Sequence, residues 1–303
     1  MRTVQMSNYT VGEDCFEAIP EALEAYSART VVLVGGTRAL AAAAPGIKAA
    51  LEGSTAYVID TIVYGTDSTQ SAIDALVANP AFRDADVAFA IGGGKAIDTV
   101  KTAAKELRKT VFTVPTICSN CSSATAIAVV YNDDHSLKGY AYPDAPAHIF
   151  INPAIIADAP EEYFWAGIGD ALSKQPEVEY ATSSGGLTHT GALGLALAHT
   201  CTEPLMTFGA QGLADVRANR ATEAVLLAYI GDTEQLERYA AFNKKIGLPV
   251  TLAELDLDES HLPRIAELAQ NTNEWKQGNP EPFTSEAFIE AIKAADAFGK
   301  NLA

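Results

Sequence analysis

The stretch from Val87 to Lys101, VAFAIGGGKAIDTVK, decides the fold. Its residues up to Ile91 are apolar or small without a break, as in a strand that is buried on both faces. The glycines Gly92–Gly94 follow, and a helix is predicted from Lys95. Because glycine has no Cβ, another molecule can approach the backbone, and the helix start offers free N–H groups and the positive end of its dipole. We predict that a phosphate binds at this turn, and a plain strand-to-helix turn is the alternative.

Composition limits the classes of function. The chain has 303 residues, enough for two domains that share a cleft. It carries 21 Lys and Arg against 38 Asp and Glu, a net charge of −17, so we expect binding to neither nucleic acid nor an anionic membrane. The sequence has no apolar run of membrane-spanning length, and its four cysteines do not make a disulfide framework. We expect a cytoplasmic protein.

Residues 1–158 alternate predicted strands with predicted helices. Such alternation implies right-handed crossovers and a mainly parallel, Rossmann-like sheet. Ligands bind at the carboxyl ends of the strands in such sheets, which is where residues 35–38, 92–95 and 115–121 fall. The predicted strands are Val31–Val34, Ala56–Ile59, Val87–Ile91, Val111–Val114 and His148–Ile151, and an apolar run lies at Ala126–Tyr131. Helices are predicted over 38–51, interrupted at Pro45-Gly46, and over 68–77, with Asp67 and Ser68 as candidate N-caps.

Residues 159–303 show a helical pattern with almost no strand signal. A helical run begins at Pro160-Glu161-Glu162. Further helices are predicted over 170–183, 192–202, 210–227, 233–246, 261–270 and 284–297. The chain therefore divides into an α/β domain over 1–158 and an all-helical domain over 159–303.

Two dense groups of polar residues are candidates for chemistry. Segment Pro115–Ser123 follows a strand, and its small hydroxyl, thiol and amide side chains can line a polar pocket, although a serine-rich turn is an equal alternative. Cys118 and Cys121 lack the context of a zinc or redox site, so we interpret both thiols as pocket lining. Asp170, in GIGDALSK, is either a helix N-cap or a metal ligand. The five histidines are isolated in the sequence and offer no self-evident metal site.

Spaced motifs carry a resemblance to a known family. They are GGGKAIDTVK (92–101), VPTICSNC (114–121), YNDD (131–134) and AGIGDALSK (166–174). In this order they resemble the group III iron-containing alcohol dehydrogenase family, and within it the glycerol dehydrogenase and hydroxycarboxylate dehydrogenase branch. The resemblance implies an NAD(P)-dependent oxidoreductase. Its reaction would be hydride transfer between the nicotinamide and a small alcohol, polyol, or 2-oxo or 2-hydroxy acid.

The resemblance also implies roles for individual residues. Gly93, Gly94, Lys95 and Asp98 match the segment that holds the dinucleotide's diphosphate, beside Gly92 of the glycine turn. Further cofactor contacts are implied for Thr116 to Ser119, Thr125, Ile127 and Tyr131. Asp170 matches the aspartate that binds a catalytic divalent metal, zinc or iron, which makes residues 159–303 a metal and substrate domain.

Two residues bear on cofactor and substrate choice. The first strand ends at Val34-Gly35-Gly36-Thr37-Arg38, where an NAD enzyme carries a carboxylate for the ribose 2′-hydroxyl. No acid is present and Arg38 suits a 2′-phosphate, so the sequence favours NADP over NAD, with a solvated Arg38 as the alternative. Cys121 stands where glycerol dehydrogenases carry an aspartate for the polyol. Because a thiol accepts hydrogen bonds from a diol poorly, the substitution favours the branch that reduces 2-oxo acids.

The family further implies two metal-binding histidines in the helical domain, and neither is found. RANRAT (217–222) resembles the entrance to that region and LLAYIG (226–231) its exit, so we predict a deletion of several dozen residues between Thr222 and Leu226. The deletion predicts a weak or absent metal, and apolar surface near 222–228 or compensating contacts in a homo-oligomer. A dinucleotide-binding homologue that no longer catalyses is therefore the alternative function. An incomplete version of a longer enzyme is a third interpretation.

Overall fold

The first half of the chain is built around a parallel sheet. The computed structural model describes residues 6–118, 121–183, 187–200, 202–217, 242, 244–270 and 284–300. Its strands are β1 (Asn8–Val11), β2 (Thr30–Gly35), β3 (Tyr57–Val63), β4 (Val87–Gly92), β5 (Thr110–Pro115), β6 (Ala128–Tyr131), β7 (Leu137–Ala141) and β8 (His148–Ile151). Six of them form one sheet in the order β1-β8-β5-β4-β2-β3, and all neighbours in it are parallel. The predicted Rossmann-like sheet is confirmed.

Helices cover this sheet and predominate among the described residues that follow it. They are α1 (Ile19–Glu24), α2 (Thr37–Leu51), α3 (Gln70–Ala78), α4 (Pro80–Asp84), α5 (Gly94–Leu107), α6 (Pro153–Ala157), α7 (Glu161–Thr182), α8 (His189–His199), α9 (Thr202–Arg217), α10 (Leu262–Gln270) and α11 (Ser285–Lys300). The described residues form two compact units. The first runs up to Gly167 and includes 215–217, and the second comprises Ile168 to Ala214 and the residues from 242 onward.

The second region is helical over the residues described there, apart from turns and short 3-10 segments. The predicted boundary at residue 158 stays a prediction. The predicted deletion between Thr222 and Leu226 and the apolar surface near 222–228 lie outside the described residues. None of the helices in the described part of the chain has the length and apolarity that crossing a bilayer requires.

The central strands are buried on both faces of the sheet. On one face Leu33 and Phe89 pack in a cluster with residues of α1 and α2. On the other face Val34 and Ala88 pack with residues of α3, α4 and α5. All side chains of β4 are buried, which explains why its sequence is apolar without alternation.

Helix α2 corrects the expected interruption at Pro45-Gly46, because it runs without a break through both residues. A Cβ on Gly46 would lie 2.8 Å from Cδ2 of Phe16. The glycine therefore permits close packing against that ring rather than ending the helix. Proline removes one N–H from the helix, and the remaining turns of α2 continue past it.

Two local predictions in the first unit are also wrong or incomplete. The N-cap of α3 is neither Asp67 nor Ser68 but Thr69, whose hydroxyl oxygen accepts the N–H of Ala72 at 3.3 Å. The last four residues of the apolar run at 126–131 form β6, which pairs antiparallel with β7 in a separate two-stranded sheet rather than in the main sheet.

Histidine 148, on β8, links stability to pH. Its Nε2 lies 2.9 Å from Oγ1 of Thr10, and burial lowers the pKa of the imidazole below 6.5. The unfolded chain therefore binds a proton at this residue at a higher pH than the folded chain does, so stability falls as the pH drops below 6.5. We expect His148→Gln to remove part of this fall in urea unfolding measured from pH 7 to pH 5. The exposed His189→Gln is the control, and an equal loss in both variants would contradict the assignment.

Candidate functional site

The candidate site lies where the strand order of the sheet reverses. From β2 the chain passes to β3 on one side and then to β4 on the other, so the segments that follow β2 and β4 diverge at their carboxyl ends. Helix α2 begins after Gly36 and α5 after Gly93, and no side chain caps the N-terminus of either helix. The first-turn N–H groups of both helices thus remain available for an anion.

Two glycines hold the ends of β2 and β4 close together. A Cβ on Gly35 would lie 2.3 Å from the carbonyl oxygen of Ile91. Gly92 has a φ of +146°, which disfavours any residue with a side chain, and its Cβ would lie 3.0 Å from the Cβ of Ala96. Gly93 is the extended N-cap and Gly94 is the first helical residue, one position before the predicted start at Lys95. Gly92, Gly93 and Gly94 therefore have three different positions in one turn: the end of β4, the N-cap and the first residue of α5.

The next segment, 121–129, is fastened to α5 by a buried lysine. The Lys101 ammonium Nζ donates to the carbonyl oxygens of Ser122 at 2.8 Å, Thr125 at 3.1 Å and Ile127 at 2.6 Å. It also pairs with Oδ1 of Asp98 at 3.0 Å, and its side chain is 0% exposed. Burial lowers the pKa of Lys101, although the nearby Asp98 carboxylate opposes the shift. No sequence pattern indicates this role of Lys101.

Asp98 faces the same segment. Its Oδ2 accepts the N–H of Val129 at 2.9 Å, and its Oδ1 accepts the hydroxyl of Ser122. The carboxylate thus positions segment 121–129 from within the protein. A direct contact of Asp98 with the cofactor stays a prediction.

The remaining predicted cofactor residues that the structure describes lie in segments that follow the carboxyl ends of β2 and β5. Thr116 is buried, and its N–H donates to the carbonyl oxygen of Gly92 at 3.2 Å. Oγ1 of Thr125 is buried and has no hydrogen-bond partner among the described residues. Ile127 is 36% exposed, Cys121 is exposed, and Ser119 lies outside the described residues. Arg38 is exposed in the first turn of α2.

Lys95 is held by Asp67, a residue that sequence reasoning considered only as a helix cap. Its Nζ lies 2.9 Å from Oδ2 of Asp67 and 5.8 Å from the ring centroid of Tyr131. Burial opposes ionisation of Asp67, but hydrogen bonds from Lys95, His135 and the N–H of Ser68 outweigh it and lower the pKa of that carboxyl group. The Lys95 ammonium is therefore already paired.

A cleft opens beside this ion pair at the carboxyl end of β3. Its volume is about 410 Å³, and Tyr64, Asp67, Thr69, Asp133 and His135 are among the lining residues. A larger cleft of about 490 Å³ lies along β3 itself and the last turn of α2. The smaller cleft is the better candidate, because it opens at the end of the sheet where the helix N-termini lie.

In the second unit Asp170 lies inside α7, so its interpretation as an N-cap is wrong. The helix accommodates both Gly167 and Gly169, and it continues through Pro176. Oδ1 of Asp170 lies 3.2 Å from Nζ of Lys174, one turn along the helix.

Among the described residues, the donor set around Asp170 does not fit a resident divalent metal. The described part of the chain holds no group of three His, Cys, Asp or Glu residues that suits a metal ion. All five histidines are among the described residues, and in this unit His199 pairs with Glu179 and His261 with Asp258. One carboxylate alone binds a divalent ion weakly.

The fold defines a doubly wound α/β protein, a class that binds its ligands at the carboxyl end of the sheet. The sequence model of the iron-containing alcohol dehydrogenases matches residues 7–153. A glycerol dehydrogenase of Thermotoga maritima is 30% identical over 277 positions, which cover 72% of this chain and 76% of the relative. The chain belongs to the iron-containing alcohol dehydrogenase family.

Two further comparisons agree with this family. Hydroxycarboxylate dehydrogenase A of Escherichia coli K12 is 34% identical over 143 positions, 46% of this chain and 40% of the relative. The crystal structure of glycerol dehydrogenase from Schizosaccharomyces pombe superimposes with a TM-score of 0.85 at 21% identity, over 99% of this chain and 91% of that one. The latter similarity supports the fold.

Proposed function

We propose that this chain is an NAD(P)-dependent oxidoreductase of the glycerol and hydroxycarboxylate dehydrogenase type. The observation that carries the proposal is the arrangement at the carboxyl ends of β2 and β4, where two helix N-termini without side-chain caps follow glycines at which an added Cβ would clash. Such an arrangement suits a dinucleotide diphosphate. When bound, the nicotinamide would exchange hydride with a small alcohol, polyol, or 2-oxo or 2-hydroxy acid.

The protein's own residues would bind and orient that cofactor. The N–H groups at Gly94 and Lys95 would bind the diphosphate, because the Lys95 ammonium is already paired with Asp67. The unpartnered hydroxyl of Thr125 would supply a hydrogen bond. Segment 121–129 would keep Thr125 and Ile127 in place through Lys101 and Asp98.

Cofactor choice is predicted to depend on Gly36. This N-cap has a φ of −76° and a ψ of 158°, and the nearest atom to an added Cβ is Cε1 of Tyr64 at 3.9 Å. An aspartate therefore fits there and would accept the ribose 2′-hydroxyl of NAD while repelling a 2′-phosphate. We expect Gly36→Asp to shift the ratio of the NADPH and NADH dissociation constants about tenfold or more toward NADH. Fluorescence titration measures both constants.

Two controls accompany this experiment. Gly36→Ala adds a Cβ without a charge and should leave the ratio unchanged. Arg38→Ala should weaken NADPH binding and leave NADH binding as it is. A wild-type preference for NADH that Arg38→Ala does not alter would contradict the proposed role of Arg38.

The exposed thiol of Cys121 supports a 2-oxo acid rather than glycerol as the substrate. The direct test follows NADPH and NADH oxidation with 2-oxobutyrate, and NAD(P) reduction with glycerol. We expect turnover of 2-oxobutyrate to exceed that of glycerol. Equal or greater turnover of glycerol would count against this substrate class.

The second candidate function is a dinucleotide-binding homologue that does not catalyse. The lack of a fitting metal donor set among the described residues favours it. The alignment with the Thermotoga relative also supports a shortened chain. Its 277 positions contain 72% of the 303 residues of this chain, about 218, so at about 59 positions the relative has no matching residue in this chain. Dinucleotide binding without turnover of any substrate in the panel would favour this candidate. Clear turnover would eliminate it.

A further inference from the structure

We propose that the ammonium group of Lys174 takes the place of a divalent cation beside Asp170, so that the helical unit is metal-independent. Lys174 Nζ lies 3.2 Å from Oδ1 of Asp170, 3.4 Å from Oε2 of Glu177 and 3.4 Å from Oγ of Ser173. An ammonium group has three N–H donors, and these three oxygens can accept them.

Tethering favours the Lys174 ammonium over a free cation in binding to the Asp170 carboxylate. Lys174 lies one helical turn after Asp170, so its charge is tethered at a high effective concentration. A divalent ion would need further ligands, and the described residues contain no group of three His, Cys, Asp or Glu that could hold a metal ion. The side chains of Asp170 and Lys174 are about one third exposed, at 35% and 34%, so the pair contributes little energy. It nevertheless places a positive charge beside the carboxylate that a divalent ion would bind.

The positive charge of Lys174 also disfavours binding of a metal ion to Asp170. A divalent cation on Asp170 would lie within a few ångströms of the ammonium, and like charges at that distance disfavour binding. Removing the ammonium while keeping both carboxylates should therefore strengthen cation binding. This expectation holds whether or not a dinucleotide binds to the first unit.

The experiment measures metal content and metal affinity of the full-length chain. We expect purified protein to contain no stoichiometric zinc, iron or manganese by elemental analysis, and we expect EDTA to leave its unfolding temperature unchanged. Calorimetric titration with Mn²⁺ should show binding to Lys174→Ala about tenfold tighter than to the wild type. Lys293→Ala, which removes a comparable ammonium paired with Glu290 on α11, should bind Mn²⁺ as the wild type does.

Two results would overturn the inference. One is stoichiometric metal in the wild type that disappears in Asp170→Asn. The other is a folded Lys174→Ala variant whose Mn²⁺ affinity equals that of the wild type. Circular dichroism and the unfolding temperature of each variant establish that it is folded.

Discussion

Replacing Lys101 with methionine is expected to destabilise the first unit by about 3–5 kcal/mol, because it leaves a buried carboxylate without its counter-ion. The ammonium is fully buried and binds Asp98 together with three carbonyl oxygens of segment 121–129. Methionine fills a similar volume but donates no hydrogen bond. Typical domains have a total stability of only about 5–15 kcal/mol, so urea unfolding should report the loss clearly.

The matched control is Lys105→Met, an exposed lysine on the same helix, which should change the stability by less than about 0.5 kcal/mol. The double variant Lys101→Met with Asp98→Asn should be more stable than additivity predicts, since no unpaired buried charge remains. Equal stability of Lys101→Met and Lys105→Met would show that the buried lysine does not hold the segment.

Replacing Gly92 with alanine is expected to weaken dinucleotide binding about 100-fold, equivalent to two charge-assisted hydrogen bonds. The added Cβ would lie 3.0 Å from the Cβ of Ala96, in the first turn of α5. The backbone at a φ of +146° must also change to accept it. Both effects move the N–H groups that start α5. Titration with NADPH measures the loss.

Gly139→Ala is the control for the strained backbone alone. Gly139 has the same φ of +146°, but an added Cβ there meets nothing within 4 Å. We expect this variant to lose stability and to keep its dinucleotide affinity. If the two alanine variants bind NADPH equally well, the glycine turn before α5 is not the diphosphate site.

The sequence predicted those parts of the fold that repeat a local pattern. The run Val87–Ile91 followed by glycines indicated a central strand, a tight turn and a helix, and the structure has β4 and α5 there. The strands at 31–34 and 111–114 were found for the same reason, since strands buried on both faces are apolar throughout. Strands β1 and β7 have no buried residue, so they lack the apolar run of a strand that is buried on both faces.

Long-range contacts were beyond the reach of sequence reasoning. The role of Lys101 depends on carbonyl oxygens more than twenty positions away, and backbone oxygens leave no trace in residue type. Gly46 suggested a break in α2, whereas the structure shows that it allows the helix to pack against the ring of Phe16, which is distant in the sequence. Gly167 and Gly169 likewise suggested a helix start at Asp170, although packing keeps α7 continuous through them.

The most direct test of the account is calorimetric titration of the purified chain with NADPH, NADH and ADP-ribose. ADP-ribose carries the diphosphate without the nicotinamide, so it tests the proposed diphosphate site at the carboxyl ends of β2 and β4 by itself. We predict one molecule of each ligand per chain with micromolar affinity, and a large loss of affinity for all three in Gly92→Ala. A folded wild-type protein that binds none of them at millimolar concentration would contradict the central claim.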